Sequence, residues 1–118
     1  MAAVDLIIFG ASGDLSARKL FPALFQLERL SLLEADLRIA AVARTEQGLD
    51  DFLPVLREKM ASYMGDDAPD EDEWARFTQR FSYVSVNFAE PKEYAGLRDW
   101  LDDSRISLFY FATPPSLF

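Results

Sequence analysis

Four short apolar runs separated by segments of helical periodicity constrain this chain more than any other feature. The runs are residues 4–9 (VDLIIF), 38–43 (RIAAVA), 81–86 (FSYVSV) and 106–112 (ISLFYFA). Their length and their β-branched and aromatic residues mark them as strands. The order is β-α-β-α-α-β-α-β. Strands joined through helices run parallel, and the crossovers are right-handed. Strands apolar on both faces predict an open α/β sheet with helices on both sides. The predicted strand order is 3-2-1-4, half of a doubly wound, Rossmann-like sheet.

The helical stretches carry their own signals. In residues 16–33, Leu20, Leu24 and Leu27 recur at helical spacing, and Phe21, Phe25 and Leu30 widen the face. Pro22 lacks an amide hydrogen, so the helix must kink there or restart one turn in. Residues 50–64 predict a second helix with Phe52, Leu56, Met60 and Tyr63 inward and Pro54 in its first turn. Asp70 and Glu73 form a capping box for a short helix carrying Trp74, Phe77 and Phe81 at i, i+3 and i+7, and residue 81 also opens the third apolar run. Residues 91–101 predict a last helix with Tyr94, Leu97 and Leu101 inward. Thr113-Pro114-Pro115 stops the fourth strand, because proline cannot donate to a sheet ladder. No helix or fifth strand follows to cover that strand. The expectation is a piece of a longer polypeptide, incomplete at its C-terminus.

Composition removes whole classes of function. At 118 residues and 50% hydrophobic, the chain is one domain with a real core, not a disordered segment. No apolar run has the length of a membrane span, and no signal peptide is evident. A cytoplasmic location with no membrane partner is expected. Without cysteine there is no disulfide, thiolate zinc site or cysteine nucleophile. Without histidine there is no histidine base, Ser-His-Asp triad or imidazole ligand. The net charge is −8, and Asp66, Asp67, Asp70, Glu71, Asp72 and Glu73 carry most of it. That cluster reads as a solvated loop and helix start rather than a metal site. The acidity argues against nucleic acid, which needs a basic face.

The chemistry concentrates where strand 1 ends. Gly10-Ala11-Ser12-Gly13-Asp14-Leu15 joins that strand to the first helix. There a parallel sheet offers a crevice and the helix start offers amide donors to an anionic phosphate. Gly10 permits a sharp turn, Gly13 lets a pyrophosphate approach the backbone, and Ser12 adds a hydroxyl. The spacing is G-x-x-G rather than G-x-G-x-x-G, and a tight strand-to-helix turn would use the same residues. A P-loop is excluded because no Gly-Lys-Ser/Thr follows at the required distance. A phosphoacceptor fold is excluded because Gly10 and Ala11 stand where paired acids would be needed.

Arg44 and Thr45 end strand 2, where an adenosine ribose would lie. An acid there suits the hydroxyls of NAD, whereas arginine suits the 2′-phosphate of NADP. If Glu46 faces the ribose instead, NAD would compete. Arg18 and Lys19 follow the glycine turn, and the break at Pro22 leaves one of them able to turn toward the crevice.

Taken together, GASGDLSARKLFPALF (residues 10–25) resembles the N-terminal motif of the glucose-6-phosphate dehydrogenase family. The matching positions are Gly10, Gly13, Asp14, Leu15, Lys19, Phe21 and Pro22, with Arg44 after the second strand. FSYVSVNF resembles the family's third strand and LFYFATPP its fourth. The resemblance implies oxidation of glucose 6-phosphate to 6-phosphoglucono-δ-lactone with NADP, the first step of the pentose phosphate route. It implies that Gly10, Ala11, Ser12, Gly13, Asp14 and Leu15 cradle the pyrophosphate. Arg44, Thr45 and Ser12 would hold the 2′-phosphate and ribose. Asn87 and Phe88 would border the adenine, Thr113 and Pro114 would line the nicotinamide pocket, and Lys19 would point into the cleft. The family's second lysine-proline motif, its sugar-phosphate residues and its histidine–carboxylate pair fall beyond the fourth strand. The same holds for the surface through which the parent enzyme forms a homo-oligomer. Residues 1–118 are therefore expected to be the N-terminal part of an NADP-binding domain, inactive alone and weak in binding. The alternative is a non-catalytic α/β module that binds a nucleotide or a partner. A nucleotide-sugar epimerase would show a Tyr-x-x-x-Lys pair, which is absent.

Overall fold

The apolar runs become strands in the computed structural model of the chain, which describes residues 3–13, 15–44, 47–86 and 95–111. Strand β1 spans Val4–Phe9, β2 Arg38–Ala43, β3 Phe81–Ser85 and β4 Ile106–Phe111. All pairings are parallel and the order is β3-β2-β1-β4, as predicted. Ile7 lies beside Ala40 and Phe109, so β1 is the central ladder of the half-sheet. Helix α1 spans Phe21–Arg29, α2 Leu49–Met64, α3 Glu71–Thr78 and α4 Ala95–Trp100.

Alternation along the strands sorts the core into two layers. Ile8, Ile39 and Ala41 face α1, α2 and α3, where they meet Phe21, Phe25, Phe52, Leu56, Met60 and Phe77. Ile7, Phe9, Ala40 and Val42 face the other way and meet Leu97 and Trp100 of α4. The helices linking β1 to β2 and β2 to β3 thus cover one face, and the helix before β4 covers the other. The change of face coincides with the reversal of strand order between β1 and β4, the topological switch point. Aromatic rings tie the first layer together. Phe77 meets Phe25 at 5.5 Å and Phe81 at 5.0 Å, both edge to face.

Pro22 has the predicted effect. The segment opens as a wide π-helical turn over Ser16–Leu20 and restarts as α1 at Phe21. The Phe21 amide donates five residues back, to the Ser16 carbonyl. Proline in the first turn of α1 has no donor to waste.

Several expectations are corrected. The first helix stops at Arg29, and Ser31 takes a positive φ of 58°, so Leu30 leaves the helix and is 65% exposed. Leu27 is exposed as well. Helix α2 begins at Leu49, which places Pro54 in the second turn, where its ring forgoes the bond to the Asp50 carbonyl. Tyr63 is exposed, and Met64 packs on the core instead. The capping box forms as expected, Asp70 Oδ1 accepting from the Glu73 amide at 2.8 Å. Tyr94 and the start of the predicted last helix lie outside the described residues. On β4, Ile106, Leu108 and Phe109 are about half exposed. Among the described residues, no helix is long and apolar enough to cross a membrane.

Candidate functional site at the carboxyl ends of β1 and β2

The bend after β1 is anchored to the tip of β2. The amides of Gly10 and Ala11 both donate to the Val42 carbonyl, at 2.9 and 3.1 Å. The Gly10 carbonyl accepts from the Gly13 amide and from the Ser16 hydroxyl, each at 3.0 Å. The Ala17 amide closes the turn on the Gly13 carbonyl at 3.2 Å. Gly10 has φ +82°, a conformation that L side chains rarely adopt. At Gly13 a Cβ would stand 3.3 Å from the Gly10 carbonyl oxygen, tighter than ordinary packing.

These bonds decide which donors remain. The amides of Gly10, Ala11 and Gly13 are already used within the bend. Among the described residues, those of Ser12, Leu15 and Ser16 have no recorded acceptor. Ser12 and Gly13 are exposed, whereas Ala11 is buried against the core. Ser16 is fully buried, so an anion would meet the exposed Ser12 and Leu15 amides, where the helix start adds positive potential.

Arg44 is exposed just past β2, two residues beyond the carbonyl that anchors the bend. The bend and the guanidinium thus share one edge of the sheet. Arg18 and Lys19 are exposed on the π-helical turn. Asp14, Thr45, Glu46, Asn87, Phe88, Thr113 and Pro114 lie outside the described residues.

Cations collect at this edge, and among the described residues the bend itself offers no carboxylate or imidazole. Among the described residues of the bend, the arrangement can bind an anion and offers no carboxylate for proton transfer. A buried, perturbed carboxylate, Asp5, lies at the opposite end of β1. Asp5 is fully buried, and hydrogen bonds from Arg38 first and Arg105 second hold its carboxyl below the usual range, against the effect of burial. Its distance from the bend makes it a structural group.

Residues 7–118 match the family model described as glucose-6-phosphate dehydrogenase, NAD binding domain. The chain belongs to the glucose-6-phosphate dehydrogenase family. The glucose-6-phosphate 1-dehydrogenase of Mycolicibacterium smegmatis is 39% identical over 122 residues, covering 97% of this chain and 24% of that enzyme. That of Dickeya dadantii is 35% identical over 117 residues, covering 98% and 24%. The crystal structure of glucose-6-phosphate 1-dehydrogenase from Mycobacterium avium superposes with a TM-score of 0.88 at 32% identity, covering 99% of this chain and 25% of that one. A structure of glucose-6-phosphate dehydrogenase in complex with its substrate glucose-6-phosphate superposes with a TM-score of 0.78 at 33% identity, covering 98% and 25%. The chain thus spans about a quarter of the length of these relatives.

In this glucose-6-phosphate dehydrogenase chain two residues at the bend escaped the sequence reading. Ser16 is fully buried and locks the Gly10 carbonyl. A small hydroxyl residue three places after Gly13 was the available signal. Lys59 reaches the bend from α2, its Nζ donating to the Ser12 carbonyl at 3.3 Å. No local spacing announces a contact across 47 residues.

Proposed function

We propose that residues 1–118 are the N-terminal part of the NADP-binding domain of a glucose-6-phosphate 1-dehydrogenase. The parent enzyme oxidises glucose 6-phosphate to 6-phosphoglucono-δ-lactone, in the cytoplasm and as a homo-oligomer. One observation carries the cofactor reading. The glycine bend is hydrogen-bonded to β2 at Val42, two residues before the exposed Arg44, which supports a shared site at the carboxyl ends of the two strands. The residues present fit a 2′-phosphorylated dinucleotide: a positive-φ glycine, an exposed Gly13, amide donors at Ser12 and Leu15, and an exposed arginine just past β2. Asp14, Thr45, Asn87, Phe88, Thr113 and Pro114 complete the proposed set.

When bound, NADP supplies the hydride acceptor. This chain's own residues bind and orient it. The loop amides and helix start neutralise the pyrophosphate, and Arg44 selects the extra phosphoryl group. Lys19 is proposed to face the cleft where the sugar enters. The proton acceptor for the sugar hydroxyl belongs to the rest of the parent enzyme, because this chain has no histidine.

Titration calorimetry with NADP, NAD and 2′,5′-ADP tests the reading. The 2′-phosphorylated ligands should bind more tightly than NAD. Arg44→Ala should lose about ten- to a hundredfold in affinity for them, since one charge-assisted contact contributes about 1.5–3 kcal/mol. Equal affinity for NAD and NADP in the unmodified chain would overturn the Arg44 assignment. Absence of binding to any dinucleotide would overturn the reading itself.

A further inference from the structure

Lys59 lies in the third turn of α2 and reaches the glycine bend. Its ammonium donates to the Ser12 carbonyl at 3.3 Å. That bond uses one of three donors, and among the described residues no carboxylate pairs with the ammonium. The lysine lines a small pocket of about 30 Å³ with Ala11, Ser12, Gln47 and Val55. Room for a water or two remains there, so the pocket flanks a ligand site and does not enclose one. Gln47 lies three residues beyond Arg44. The pocket therefore joins Ser12 of the bend, assigned to the 2′-phosphate and ribose, to Gln47 of the segment that follows Arg44.

A phosphate monoester carries close to two negative charges at neutral pH, and Arg44 supplies one positive charge. We propose that Lys59 is the second cation of the 2′-phosphate site and a specificity-determining residue for NADP over NAD. This inference rests on the NADP reading above. In this reading the flexible lysine stem carries the ammonium from the Ser12 carbonyl, its partner at 3.3 Å, to a phosphate bound at Ser12.

The test compares Lys59→Met and Lys59→Arg in the full chain, by calorimetry with NADP, NAD and 2′,5′-ADP at low salt, where exposed charges are least screened. Lys59→Met should bind NADP and 2′,5′-ADP about five- to tenfold more weakly and NAD within about twofold, the loss of one exposed charge-assisted contact. Lys59→Arg should recover most of the NADP affinity. An equal loss for NAD and NADP would overturn the proposal, because a lysine that only props the bend would affect both. Unchanged NADP affinity in Lys59→Met would overturn it too. If the unmodified chain prefers NADP through Arg44 while Lys59→Met is silent, only this inference falls. If the unmodified chain binds no dinucleotide, both fall.

Discussion

Arg38 grips the carboxylate of Asp5 from the paired position on the neighbouring strand, Nε donating to Oδ1 at 2.8 Å and Nη2 to Oδ2. Arg105 adds a bond to Oδ1 and another to the Val4 carbonyl. Arg38 also lies 4.1 Å over the Trp100 ring. One buried carboxylate thus ties β1, β2, the approach to β4 and the end of α4. Removing it strands two guanidiniums that the fold has partly withdrawn from water. Asp5→Ala should lose about 3 kcal/mol, the low end for breaking a buried pair, because Arg38 keeps a third of its side-chain surface in solvent. Urea unfolding at neutral pH measures it. A loss below about 1 kcal/mol would class the cluster with surface ion pairs.

The same carboxylate should set the acid limit of the fold. The Arg38 hydrogen bond, with help from Arg105, holds Asp5 below the usual range, and the Arg29 hydrogen bond does the same for Glu73. A depressed carboxylate contributes stability that is present above its unfolded pKa, about 4, and lost as pH falls through the lower folded value. With no histidine in the chain, side-chain titration contributes little between about pH 6 and 8. The urea midpoint should therefore be flat there and fall below about pH 4. Asp5→Asn should start lower and fall less steeply. An unchanged acid slope in that variant would remove Asp5 from the response.

Gly10 and Gly13 should separate by readout. Gly10→Ala forces a Cβ into φ +82° and should lower stability by about 1–2 kcal/mol, the cost of the left-handed region. Gly13 carries no such φ, and its Cβ would meet the Gly10 carbonyl at 3.3 Å. Gly13→Ala needs the Gly10 carbonyl to give by a few tenths of an ångström and should lose less than Gly10→Ala in a thermal melt. Gly13 is exposed where the pyrophosphate is proposed to sit, so NADP affinity should fall more than stability. The reverse ranking in melts would mean that the bend relaxes around Gly10.

Strand order, layers and the glycine bend were legible because each depends on local pattern. Apolar runs of strand length, parallel connection through helices and a glycine-bounded loop all leave marks within a few residues. What escaped depends on contacts far apart in sequence. Asp5 looks like a polar intruder in VDLIIF until Arg38 and Arg105 are placed beside it. Lys59 is one more charge on a solvated helix until α2 packs against the bend. Helical periodicity gave Leu30 and Tyr63 the right angle, but angle does not say where along the axis the core ends. The turn at Ser31 takes Leu30 out of the helix, and Met64 fills the place expected for Tyr63.

Helix α3 shows which force holds a short element in place. It has eight residues, too few to persist alone in water. Two features secure it: the capping box at Asp70 and the burial of Phe77 among Phe25, Trp74 and Phe81. The cap satisfies two backbone donors, and Asp70→Ala should lose about 1 kcal/mol. Phe77 is fully buried, and Phe77→Ala should lose about 3–5 kcal/mol through lost transfer energy and the cavity left behind. Packing should therefore outweigh capping at least twofold in urea unfolding. If Asp70→Ala proves the more damaging, α3 is held by its first turn, and the aromatic cluster must close around the missing ring.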